Sequence, residues 1–170
     1  CRYDEAEGVE LMLVYHGSYC EIVNPDIKYS RNKLDFGKGF YVTPIEEQAV
    51  SWVSRFKRLG KPGIVNVYEF DFEKVKQDLR ILIFEEYNTE WLDFIIKCRN
   101  GELIYQDYDV IAGGIADDKV FNTVELYLDQ LISKEEALGR LKYYKPNFQI
   151  CIVNQEVIDN YLTYKESRDI

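Results

Sequence analysis

The sequence predicts a mixed α+β domain, and three observations carry that prediction. Apolar runs of strand length recur along the chain, amphipathic helical stretches stand between some of them, and the two kinds do not alternate strictly. A doubly wound parallel sheet is therefore not expected. At 170 residues, with 46% hydrophobic and 30% charged residues and only 10 Gly and 4 Pro, the chain has the size and composition of one domain with a real core. Residues 1–170 read as that single domain, without an internal repeat or a linker.

The elements follow from local chemistry. Residues 9–16 (VELMLVYH) form a β-rich apolar run that ends at Gly17-Ser18, the pattern of a buried strand entering a tight turn. Residues 19–38 are polar and irregular, and a loop of that length is often functional. Gly39 to Val42 reads as a short strand that feeds a helix over 44–58, with Thr43 as its N-cap, Pro44 at its first position and Glu46 completing a capping box. Ile45, Ala49, Trp52, Val53 and Phe56 make one face of that helix apolar.

Strands are expected at 64–72 and 80–84, joined by a polar connection for which a helix and a loop are both open. Asn88 opens a helix with Trp91, Phe94, Ile95 and Cys98 on its apolar side, closed by Asn100-Gly101, and a strand follows at 108–113. After a loop over 114–119, Val120, Val124, Leu128 and Leu131 mark a helix; Ser133 and Glu136 box a shorter one that reaches about Tyr143. A late strand at 147–153 precedes a short helix that Asn154 caps and that ends near Tyr161.

Composition also excludes functions. The balance of 21 Lys plus Arg against 30 Asp plus Glu, a net charge of -9, repels a phosphate backbone or an anionic membrane, so nucleic acid is not favoured as a partner. The basic cluster Arg55, Lys57, Arg58 and Lys61 reads as a solvated helix end. No window is long and apolar enough to span a membrane. Four cysteines at 1, 20, 98 and 151 form no C-x-x-C pair, and with one histidine no metal site is expected. Cys98 and Cys151 lie in apolar stretches and suit a reducing compartment, so a soluble, cytoplasmic setting is expected. The opening at Cys1 rather than Met reads as a piece of a longer protein. No G-x-G-x-x-G follows a strand, which removes the Rossmann and P-loop readings.

His16, the lone histidine, is the first place to look for chemistry, and Gly17 beside it would let a ligand approach the backbone. A Cys20–His16 nucleophile pair is not supported, because nothing supplies an orienting third group. Tyr15-His16-Gly17-Ser18, then Gly39-Phe40-Tyr41-Val42-Thr43 feeding a helix, then a motif on a late strand resemble the histidine-tyrosine-glutamate branch of the ADP-ribosyltransferase superfamily. The strings YHGS, DFGKGFYVTPIEEQAVSW, ADDKV and PNFQICIVNQEVIDNYL are similar to a bacterial domain family of unassigned function, DUF3990, over nearly the whole span from Val14 to Tyr164.

That resemblance implies two small packed, split sheets, mixed or antiparallel, with flanking helices and NAD bent in a cleft between the sheets. It implies that His16 bonds a ribose hydroxyl, that the Gly17 backbone holds the carboxamide with Ser18 beside it, and that Tyr41 stacks on the nicotinamide ring. Trp52, eleven residues after Tyr41, could close the other side or pack in the core. Phe40, on the opposite face of its strand, is expected in the core. The third motif of such enzymes supplies a glutamate, where this chain has Gln149. Three alternatives stay open: Gln149 suffices, another carboxylate such as Glu125 contributes, or the domain binds NAD without transferring it.

Arg31, beside a glycine-bearing turn, is a candidate for the NAD pyrophosphate, whereas Asp35 is expected to pin its own loop through backbone N–H groups. Asp117 reads as a helix cap and Glu125 as surface. The implied reaction is transfer of ADP-ribose from NAD to a macromolecular acceptor with release of nicotinamide. Implied partners are NAD, that acceptor and, as for toxins or effectors of this kind, a small neutralising protein; the rival readings are a noncatalytic nucleotide- or protein-binding module and an NAD glycohydrolase.

Overall fold

The computed structural model describes residues 10–143 and 147–170. Its elements in chain order are β1 (Met12–Ser18), β2 (Phe40–Val42), α1 (Glu46–Arg58), β3 (Ile64–Phe70), α2 (Phe72–Asp78), β4 (Ile81–Ile83), α3 (Thr89–Arg99), β5 (Val110–Gly113), α4 (Asp118–Leu128), α5 (Lys134–Leu141), β6 (Gln149–Ile152), α6 (Gln155–Tyr161) and β7 (Leu162–Asp169). The fold is mixed α+β with two small sheets. One is antiparallel in the order β1-β3-β7, and the other is mixed in the order β2-β6-β5-β4, with β4 and β5 its parallel pair.

Strand alternation sorts the side chains into layers. Val14, Phe40, Val42, Tyr68, Phe70, Val110, Ala112, Ile150 and Ile152 form the core between the sheets, with Val157 and Ile158 of α6. The other face of the four-stranded sheet, through Ile111 and Cys151, packs on α3, α4 and α5 together with Phe36. Val65 and Val67, on the outer face of the antiparallel sheet, meet Ala49 and Val53 of α1. The sheets touch through one backbone bridge: Tyr15 N donates to Thr43 O at 2.8 Å and Thr43 N to Tyr15 O at 2.9 Å.

Most helix starts follow the sequence. Asn88, Asp117, Ser133 and Asn154 each accept a backbone N–H from the first turn of the helix that follows. Asp71 does the same for α2, which settles the 73–78 connection as helical. Thr43 does not cap α1. The helix begins at Glu46 with Ile45 as a cap that offers no side-chain bond, and Thr43 Oγ1 instead donates to Phe148 O at 2.8 Å, tying β2 to the segment before β6.

Three further expectations change. Gly17 and Ser18 lie inside β1, because the strand runs on to pair with Val65 and Ile64 of β3; Val9 is outside the described residues. Leu131 stands beyond the end of α4 and is exposed, since Gln130 turns the chain with a φ of 59°. Strand β7 has no counterpart in the sequence reading. It is an edge strand, LTYKESRD, in which only Leu162 and Tyr164 pack on the core and the rest is mostly charged and exposed, so the apolar period is too short to read.

Candidate functional site

His16 lies on β1 with its side chain toward the inter-sheet face, where its ring packs on Phe40 at 4.6 Å between centroids. Its Nδ1 is 2.6 Å from the Tyr41 carbonyl oxygen. A carbonyl only accepts, so Nδ1 carries the proton and Nε2 keeps its lone pair. Nε2 has no hydrogen-bond partner among the described residues, and the side chain is half-buried. Burial pulls the imidazole pKa below its usual value, against a smaller opposing effect of the Tyr41 bond. The ring is therefore a neutral acceptor at neutral pH.

That shift fixes a pH effect. The unfolded chain takes up a proton near the ordinary value of 6.5, whereas folded His16 resists it, so this stability is present above 6.5 and is lost as pH falls toward the folded pKa. In urea titrations between pH 7.5 and 5.5, replacing His16 with Asn is expected to flatten the stability slope by up to about 1.4 kcal/mol per pH unit. Parallel slopes in the two proteins would contradict a depressed imidazole. As the only histidine, its ring protons can also be titrated directly by NMR.

Gly17 is buried against α1. A methyl at this position would lie 2.6 Å from the Ala49 carbonyl oxygen and 3.2 Å from Trp52 Cβ, so the bare backbone is what admits the helix. Trp52 is half-buried beside the Ala49–Val53 cluster. Ser18 is buried and its Oγ accepts from Cys20 N at 3.4 Å. The turn that follows is held by the buried Asn66, which accepts from Ile22 N at 2.8 Å and donates to Cys20 O at 3.1 Å.

Tyr41 contributes its carbonyl to His16, but its half-buried ring lies on the opposite face of β2, against the helical layer. Its hydroxyl donates to Gly37 O at 2.6 Å and accepts from Phe36 N at 3.0 Å. Burial drives the phenol pKa well up. The loop over 35–37 is thereby plugged into the core through Phe36, and Gly37, at φ 77°, leaves the space that the Tyr105 ring fills.

Gln149, 4% exposed, is on the same face of the sheet as Tyr41. Its Nε2 donates to Asp35 Oδ2 at 3.1 Å and to Gly114 O at 3.5 Å. Asp35, which the sequence suggests pins its own loop, instead joins a helix, a strand and a second loop. It accepts from Arg99 of α3 through Nε at 3.0 Å and through Nη2, and from Ala116 N at 3.0 Å in the loop after β5. Beside Gly114 a cavity of about 560 Å³ is floored by Phe84, Leu138, Leu141 and Phe148 and rimmed by Glu85, Glu86 and Glu90. His16, Tyr41 and Trp52 do not line it.

A family model described as "Protein of unknown function (DUF3990)" matches residues 12–164, from the start of β1 into β7. The chain belongs to the DUF3990 family. No curated protein and no solved structure matches it. In this DUF3990 domain the match takes in both sheets and all the described helices, so the layers and the His16–Tyr41 contact lie within the family's span.

The remaining candidates of the DUF3990 chain fall outside this centre. Arg31 is exposed and makes no ion pair among the described residues, while Glu125 is exposed on α4. Asp117 caps α4. Arg55, Lys57, Arg58 and Lys61 are exposed at the end of α1, where cations suit the helix dipole. Cys98 and Cys151 are buried free thiols, and burial pushes Cys98 up to about 12. Arg99 and Asn66 were not singled out in the sequence; a lone Arg in a helical pattern and a lone Asn in a strand give no signal until their partners are placed. No helix among the described residues is long and apolar enough to cross a membrane.

Proposed function

We propose that this domain binds NAD beside the junction of the two sheets and transfers ADP-ribose to a macromolecular acceptor, like the histidine-tyrosine ADP-ribosyltransferases that its motifs resemble. The bond from His16 Nδ1 to the Tyr41 carbonyl carries this reading, because it leaves Nε2 as an acceptor for a hydroxyl. Gln149 Oε1 is a second acceptor without a protein partner among the described residues. Each is an acceptor suited to a hydroxyl donor such as those of ribose, and the exposed Arg31 is a cation for pyrophosphate.

When bound, NAD supplies the bond between ribose and nicotinamide that is cleaved, its electron pair leaving with nicotinamide. In this reading His16 orients the sugar from the inter-sheet face and Trp52 offers an aromatic surface for the pyridinium, while Gln149 and the half-buried Tyr41 ring act from the other face of the four-stranded sheet. A cytoplasmic setting suits the free Cys98 and Cys151, and a small neutralising protein is the partner expected of a toxin-like member.

One observation favours a second reading, a noncatalytic nucleotide- or protein-binding module: Gln149 carries no charge and Asp35 behind it is saturated by Arg99 and Ala116. Incubation with labelled NAD separates the two. Transfer predicts nicotinamide release that falls about a hundredfold in His16→Ala and drops also in Tyr41→Ala. Stabilisation by NAD without turnover supports the module, free ADP-ribose as the product supports hydrolysis, and no response to NAD rejects all NAD-based readings.

A further inference from the structure

We propose that Asp35 is the positioning residue of this site: it fixes the Gln149 amide with Oε1 turned away, and while ionised it excludes a glutamate from position 149. The inference rests on the NAD reading for its ligand only. Both groups facing Gln149 Nε2, Asp35 Oδ2 at 3.1 Å and Gly114 O at 3.5 Å, accept and cannot donate. Turned over, the amide would set its own oxygen against a carboxylate and a carbonyl, inside a residue that is 4% exposed.

Oε1 is therefore the atom turned away from Asp35, and it has no hydrogen-bond partner among the described residues. Giving Nε2–H to an anion draws electron density onto Oε1 and makes it a better acceptor. A site so built selects a hydroxyl donor. A glutamate in this pose would bring a second carboxylate against Asp35 with one guanidinium, Arg99, for two charges.

The ionisable neighbours are Arg99 and Cys98 of α3, Tyr41 of β2, Cys151 of β6 and Tyr87. Burial raises the two thiols and the two phenols, so none of these four changes charge between pH 5 and 8.

The test compares Gln149→Glu, Asp35→Asn and the double variant in the full chain. Gln149→Glu is expected to melt well below the wild type at pH 8 and to recover toward pH 5, where one proton relieves the pair. The double variant should return to within about 2 °C of the wild type at pH 8. If wild-type protein turns over NAD, Asp35→Asn should lower kcat about tenfold with KM little changed, and the double variant should regain the loss. Wild-type-like melting of Gln149→Glu at pH 8, or no rescue by Asp35→Asn, overturns the proposal. Should Asp35→Asn fail to fold, the pH profile of Gln149→Glu decides alone. Melting that shows the coupling in a protein indifferent to NAD upholds the positioning and rejects the NAD reading.

Discussion

An Asp35→Ala variant is expected to lose about 3–5 kcal/mol of unfolding free energy in urea, because it strands a guanidinium rather than trimming a surface. The Asp35 and Arg99 side chains are 12% and 23% exposed, so solvent screens the pair only weakly. The same truncation removes the partner of Ala116 N and the principal partner of Gln149 Nε2, and each unmade bond adds to the cost. Arg99 also stacks over Phe121 at 4.3 Å, and that contact survives the change. Exchanging Arg99 for Met in the Asp35→Ala background should recover a large part of the loss, since a buried pair lacking both charges is tolerated better than one lacking a partner. A single-variant loss below about 1 kcal/mol would mean that the cluster is a surface pair in energetic terms.

Trp91→Ala should cost a similar amount, about 3–5 kcal/mol, by a different route. Trp91 is fully buried in the helical layer behind the four-stranded sheet, edge-on to Tyr87 at 4.6 Å between centroids. Its Nε1 donates to Gly114 O at 3.1 Å, the carbonyl that also faces Gln149 Nε2. Truncation leaves a cavity, whereas Trp91→Phe keeps most of the volume and gives up one hydrogen bond, worth about 1 kcal/mol. Urea titrations of the two variants divide the packing from the bond. Equal losses in both would assign the whole effect to the indole N–H.

How much was legible in the chain varies with the range of the interaction. Caps are local, so Asn88, Asp117, Ser133 and Asn154 announce their helices within three residues. Thr43 carries the same signal and misleads: its oxygen accepts from Ile45 N, ahead of α1, while its proton goes to Phe148 O, more than a hundred residues away. Strand β7 is invisible for the opposite reason: its pairing with β3 uses backbone groups, and only Leu162 and Tyr164 among its side chains turn to the core.

At the candidate site, the YHGS and GFY strings place β1 and β2 correctly, and the sheets bring His16 to the Tyr41 carbonyl. The face of the Tyr41 ring, opposite the core residue Phe40, was legible, but the packing that it meets there was not. It is set by the 35–37 loop, whose Phe36 and Gly37 enter the core through contacts with Phe84, Phe94 and Tyr105 that no short motif contains. Asp35 reads locally as an ordinary turn residue, and only the meeting of α3, β6 and the loop after β5 makes it a hub.

The lone imbalance of the antiparallel sheet lies in when its strands are made. Strands β1 and β3 can pair early, yet Tyr164 and Leu162 of β7, which cover part of the core between the sheets, leave the ribosome about a hundred residues after β3. Throughout that interval the β3 edge lies bare, offering its backbone to any other extended peptide. Until β7 is made, Ile64–Phe70 has β1 on one side and no strand of this sheet on the other.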